Sequence, residues 1–208
     1  MNRSAPWAAI GGIVFVVMMV VGSRLISDVP APNAPDRDIT LYLTDSAKHM
    51  RNMVGAYLWM VGALAFLLFL TGLQTDLRRA EGGTGALSNL TFGAGVAFTA
   101  VWMVSAAAFA SVAYAVWVRQ APLSGTDWVR VLPPMGRLLL LHGGGFTGIL
   151  VLLASSAVIL RTGVYAGWLG WLGIVAAIGL LFDILYLTIL PFWGWVFLVS
   201  VVRLLSKE

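Results

Sequence analysis

From Tyr165 to Leu205 the chain stays apolar for about 40 residues, with Asp183 and Pro191 as the breakers in the run. A helix crossing a hydrocarbon core roughly 30 Å thick, at about 1.5 Å per residue, needs about 20 such residues. The segment therefore holds two crossings and the turn between them. Backbone polar groups inside a bilayer must close on one another, which makes each crossing helical. The rest of the chain repeats the pattern: of its 208 residues 60% are hydrophobic and 11% charged, and mean hydropathy is +0.90, against roughly 45–50% apolar and 25% charged in a soluble domain. The expected fold is all-α, a polytopic transmembrane helical bundle of six spans. They form a single transmembrane domain over 1–208, at approximately 7–25, 54–73, 90–117, 137–160, 165–182 and 185–205.

The first span, Trp7 to Leu25, follows a basic start at Arg3 but is long for a cleaved leader and has no clean small-x-small site after it, so it reads as an anchor. Asp28 to Ser46 reads as a loop, because Pro30, Pro32 and Pro35 oppose helix and Asp36, Arg37 and Asp38 seek water. Thr44, Asp45 and Ser46 offer N-caps to the second helix, which carries Lys48, His49 and Arg51 at headgroup depth. Its polar extension, Gln74 to Glu81, ends at Gly82 and Gly83. Ser88 or Asn89 caps the third, whose Gly93, Gly95, Ala97, Thr99, Ala106, Ala107 and Ala108 give it a small-residue surface suited to the centre of a bundle. Arg119 to Gly136, with Pro122, Gly125, Pro133 and Pro134, is the second break, and Trp128, Val129, Val131 and Leu132 lie along the interface there.

Thirteen Lys and Arg stand against nine Asp and Glu, a net charge of +4 scattered among apolar runs. That pattern reads as membrane topology and not as a nucleic-acid surface. Arg3, Arg78, Arg79, Arg161, Arg203 and Lys207 fall on one side in short segments, which the positive-inside rule assigns to the cytoplasm. Arg37, Lys48, Arg51, Arg119 and Arg130 fall on the other, and the brevity of the first set of segments decides. The expected location is the plasma membrane, multi-pass, with both termini cytoplasmic.

Arg161-Thr162-Gly163-Val164 followed by Trp168-Leu169-Gly170-Trp171-Leu172-Gly173 carries a family likeness. So do Gly55-Ala56-Tyr57-Leu58, Arg79-Ala80-Glu81-Gly82-Gly83-Thr84-Gly85 and the glycine run from Gly143. Together, over roughly Asp45 to Arg203, they resemble a group of small, uncharacterised, about six-helix integral membrane proteins common in actinobacteria. The chain departs from that group at Ala166 and Gly167, where a proline and a basic residue are usual. The resemblance implies a fold and a membrane location, and it carries no activity.

Three residues form a candidate intramembrane polar site: His142, Asp183 and Arg137. A histidine within a span can relay protons or bind a ligand, or can be a neutral ring bonded to a neighbouring helix near the interface, and the second is the commoner case. Asp183 at mid-bilayer would have to be protonated, paired or hydrated, whereas at a turn it is merely solvated, and the turn is favoured. Arg137, beside two prolines at a helix start, snorkels to lipid phosphate. Gly143, Gly144 and Gly145 admit close approach of a helix or a ligand, helix packing being the more frequent cause. Among the nine tryptophans, Trp7, Trp59, Trp117, Trp128, Trp168 and Trp171 lie near span ends and read as an aromatic belt, while Trp193 and Trp195 can brace the last turn.

Absence of cysteine removes thiolate metal sites, iron–sulfur clusters and cysteine nucleophiles. Two histidines, His49 and His142, with His49 at a membrane edge, do not supply a transmembrane b-type haem. No lysine lies in a span to form a retinal Schiff base, and Gly82 to Gly85 lacks the lysine of a phosphate loop. No catalytic residues, metal or cofactor are expected. The leading expectation is an accessory or scaffold subunit, or a lipid-binding bundle, whose partners are membrane lipids and other membrane-protein subunits and not nucleic acid. The alternative is a small transporter or channel with a site near His142 and Asp183. An intramembrane enzyme pairing those two residues ranks last.

Overall fold

In the computed structural model, which describes residues 6–26, 29–120, 127–182 and 189–205, every regular element is helical. Helix α1 covers Pro6–Leu25. A short helix, α2 (Asp36–Thr44), precedes α3 (Ser46–Glu81). Asp45 divides the two: its carboxylate accepts from the amides of Ala47 and Lys48, both at 3.1 Å, and so caps α3. Those amides, Lys48's foremost, hold the Asp45 carboxyl below its ordinary value. Helix α3 stops at Gly82, whose φ of 64° lies in the left-handed region open to glycine.

Helix α4 (Ala86–Ala113) begins after the tight turn 82–85. Its start is capped by Glu81 at the end of the preceding helix, which accepts from the amides of Leu87 and Ser88 at 2.9 Å each. Ser88, expected to cap α4, instead bonds back to the Gly85 carbonyl. A wide π-helical turn, Tyr114–Val118, extends α4. Helix α5 (Asp127–Leu138), a second π turn (Leu139–Gly144) and α6 (Gly145–Thr162) run on as one helical stretch. The last two helices are α7 (Gly167–Leu181) and α8 (Ile189–Leu205).

Among the described residues, four helical stretches are long and apolar enough to cross a membrane, Pro6–Leu25, Ser46–Glu81, Ala86–Val118 and Asp127–Thr162. Helices α7 and α8 are apolar but have 15 and 17 residues. Counting the described residues alone, they rise about 22 and 26 Å at about 1.5 Å per residue. The turn expected between them, Asp183 included, lies outside the described residues.

The helices close a ring in chain order. Helix α1 packs on α3, α3 on α4, α4 on α6, α6 on α7, α7 on α8, and α8 returns to α1. Side chains fill its axis. Phe15, Phe66, Phe98, Trp102 and Phe192, from four helices, are almost wholly buried, with ring centroids 4.8 Å apart for Phe98 and Phe192 and 5.0 Å for Phe15 and Phe66. Tilted and edge-on contacts of this kind suit the ring quadrupoles. The outside is apolar as well: Ile10, Tyr57, Leu64, Val104, Phe146, Trp171 and Val175 are exposed. A helix apolar on both faces belongs in a membrane.

Four expectations are corrected. The segment 28–46 is not all loop, because Pro35 ends the extended stretch and Asp36 and Asp38 then favour the positive end of α2. Residues 119–136 are not all break: α5 runs through Pro133 and Pro134, with Val129, Pro133 and Gly136 buried and the Ser105 hydroxyl donating to the Gly136 carbonyl at 2.7 Å. The third span is not the most enclosed, for the buried share of its apolar stretch is 50%, equal to the second and below the 61% of the fourth. Its small residues are divided, with Gly95 inside while Gly93, Ala97 and Ala107 face outward. Trp59 is not in a belt, because α3 starts eight residues before the expected span and brings the indole into the bundle, where it donates to the Met19 carbonyl at 3.3 Å.

Glycines let the backbones of α1 and α3 approach closely. A Cβ at Gly22 would lie 2.8 Å from the Gly55 carbonyl oxygen, and one at Gly55 2.8 Å from that of Gly22. No side chain fits either position without moving the helices apart.

Candidate functional site

Residues 127–144 bring the one histidine predicted to lie inside a span to the surface of the bundle. His142 lies on the π turn and is exposed, at the mouth of a half-open cleft of about 190 Å³. Leu141, Phe146 and Ile149 line it on one side and Leu180 and Leu181 of α7 on the other. The imidazole hydrogen-bonds to no other described residue. Such a wide turn interrupts the ordinary helical ladder and recurs at functional sites.

The three glycines separate by role. A Cβ at Gly143 would meet Val101 at 2.9 Å, so this position serves contact with α4. At Gly144 the nearest atoms are 3.9 Å away, which is ordinary contact, and at Gly145 nothing lies within 4 Å. Gly145 borders the cleft and leaves it open. Arg137 is exposed in the last turn of α5. Asp183, and with it the pairing of His142 and Asp183, lies outside the described residues.

A charged group that sequence reasoning did not single out is buried at the other end of the bundle. Asp76 of α3 accepts through Oδ2 from Arg203 Nη2 of α8 at 3.0 Å and from the Tyr165 hydroxyl at 2.7 Å. Arg203 is 4% exposed. Gly72 makes its place, since a Cβ there would overlap the guanidinium and the Ala8 methyl. Burial, and then the Asp76 charge, push the Tyr165 phenol well above its ordinary range, so it acts as a neutral donor. Read as topology markers, Arg203 and the polar tail 74–81 stood apart. The available signal was an acid and a base in two apolar helices at matching distances from the same face.

A third polar group ties the short helix α2 to α3. Asn52 donates to the Tyr42 hydroxyl at 2.7 Å, and His49 Nε2 lies 3.1 Å from the Leu43 carbonyl. His49 and Asn52 are each 1% exposed, so His49 is packed under α2. Arg130 of α5 fastens the preceding segment through Asp36 at 2.7 Å and the Ala34 carbonyl at 3.0 Å. Each of these three sites can hold helices together. Of the three, the His142 cleft leaves a titratable side chain facing open space.

No protein-family model, curated protein or solved structure matches the chain. Chemistry at the sites therefore has to be read from the groups themselves. A single imidazole without a carboxylate beside it among the described residues can donate or accept one hydrogen bond but makes neither an acid–base pair nor a nucleophile–base pair.

Proposed function

We propose that the chain is a six-span plasma-membrane bundle, both termini cytoplasmic, that works as an accessory or scaffold element in contact with lipids and other subunits. In this reading α7 and α8 are the fifth and sixth spans, met by local thinning of the bilayer. The basic residues Arg78, Arg79, Arg161 and Arg203 lie at the cytoplasmic end. The resemblance to small multi-span actinobacterial membrane proteins is part of the same proposal.

The observation that carries it is the filled axis. A conduit needs a polar, wettable path, and the ring is closed across its middle by Phe15, Phe66, Phe98, Trp102 and Phe192 in tilted and edge-on contact. Their burial supports a bundle that presents surfaces and not one that passes solutes. The test is ion and proton flux in liposomes holding the purified chain. Permeability equal to that of empty liposomes is expected. A proton or potassium flux that rises with protein content, and changes with Trp102→Ala, would replace this reading with the transporter.

A further inference from the structure

We propose that the cleft at His142 is a binding site for one phospholipid, with the imidazole donating to the phosphate or ester oxygen and an acyl chain lying between α6 and α7. The proposal rests on the membrane reading above and adds to it a ligand class and a place.

Volume argues first. At about 190 Å³, half open, the space is below the roughly 300–1,000 Å³ that encloses a drug-sized cofactor. It suits a segment of hydrocarbon chain and not a whole ring system. Its walls, Leu141, Phe146, Ile149, Leu180 and Leu181, are aliphatic or aromatic, so an occupant has an apolar body. Among the described residues that line it, His142 supplies the one side-chain hydrogen-bonding group, and the ring is bonded to no other described residue. An occupant therefore carries its polar atoms at one end.

Depth then selects the occupant. From His142 to Arg161 the helix rises about 28 Å at about 1.5 Å per residue, close to the roughly 30 Å of a hydrocarbon core. With Arg161 at one headgroup boundary, His142 reaches the opposite boundary, the level of phosphate and ester oxygens. The same level is where a lipid changes from polar to apolar, and the cleft changes in the same sense from His142 to its aliphatic walls. Gly145 keeps the space clear, for a Cβ there would touch nothing within 4 Å and packing does not require glycine.

The experiment is native mass spectrometry of the delipidated full chain titrated with dioleoyl phosphatidylglycerol, with dioleoylglycerol and glycerol phosphate as separate arms. One phospholipid should be retained by the unaltered chain. Gly145→Leu, which fills the cleft, and His142→Phe, which keeps the ring but removes its donor, should each weaken retention about tenfold, the equivalent of one hydrogen bond to a charged group. Both variants should keep the lipid-free melting temperature. Equal retention by all three proteins overturns the proposal. So does dioleoylglycerol binding as tightly as the phospholipid, or glycerol phosphate binding alone. A failure of the membrane reading would show elsewhere, as release of the chain from membranes by alkaline carbonate.

Discussion

Asp76 and Arg203 form an ion pair between α3 and α8 that is largely shielded from solvent, and each is tolerable there because of the other. Removing one partner leaves a buried charge, so Asp76→Leu and Arg203→Leu should each destabilise by about 3–5 kcal/mol. Tyr165→Phe removes one hydrogen bond to a charged acceptor and should cost about 1.5–3 kcal/mol. The double replacement by leucine should cost well under the sum of the two single changes, since no orphan charge remains. Unfolding in mixed detergent micelles measures all four, and an additive double variant would show that the pair is not coupled. At this scale the sequence was partly legible. His142 stood out as a rare intramembrane histidine, but Asp76 and Tyr165 are 89 positions apart and Asp76 and Arg203 further still, and nothing local joins them.

At the level of elements, small residues were the clearest signal and the easiest to misplace. Composition pointed to α4 as the helix of close contacts, yet the backbones of α1 and α3 also approach closely, at Gly22 and Gly55. Gly55→Leu should lower stability by about 1–3 kcal/mol or more, because the obstacle includes backbone. Gly95→Leu should cost less, for it meets the flexible end of Leu70, and Ala107→Leu should cost little, since Ala107 faces outward. Detergent melting ranks the three, and a loss at Ala107 equal to that at Gly55 would refute the assignment. The hydrophobic runs located the long apolar helices to within a few residues at most inner ends. Helices α2 and α5 were read as breaks because proline is a strong local signal. What outweighs it is tertiary: Ile39, Tyr42, Val112 and Val129 form a buried cluster of their own beneath the segment that Arg130 holds.

For the whole molecule, the proposed six spans with cytoplasmic termini would put Asn33 outside and Thr84 and Thr162 inside, and all three are exposed. Single cysteines placed there in this cysteine-free chain should label from outside with an impermeant reagent at Asn33 alone. Labelling of Thr84 from outside would invert or refute the topology. Sequence by itself determined the solvent of this protein, since apolar runs of 20 residues and an 11% charged content leave no other medium in which the backbone and side chains are satisfied. It also determined the helical class and where most of the long helices end, through local signals such as Asp45 and Gly82. Only the tertiary structure decided the ring order, the aromatic filling of its axis, and which polar residues meet. In a chain apolar on every helix face, hydropathy does not distinguish the side turned to a neighbour from the side turned to lipid; shape and close packing make that choice.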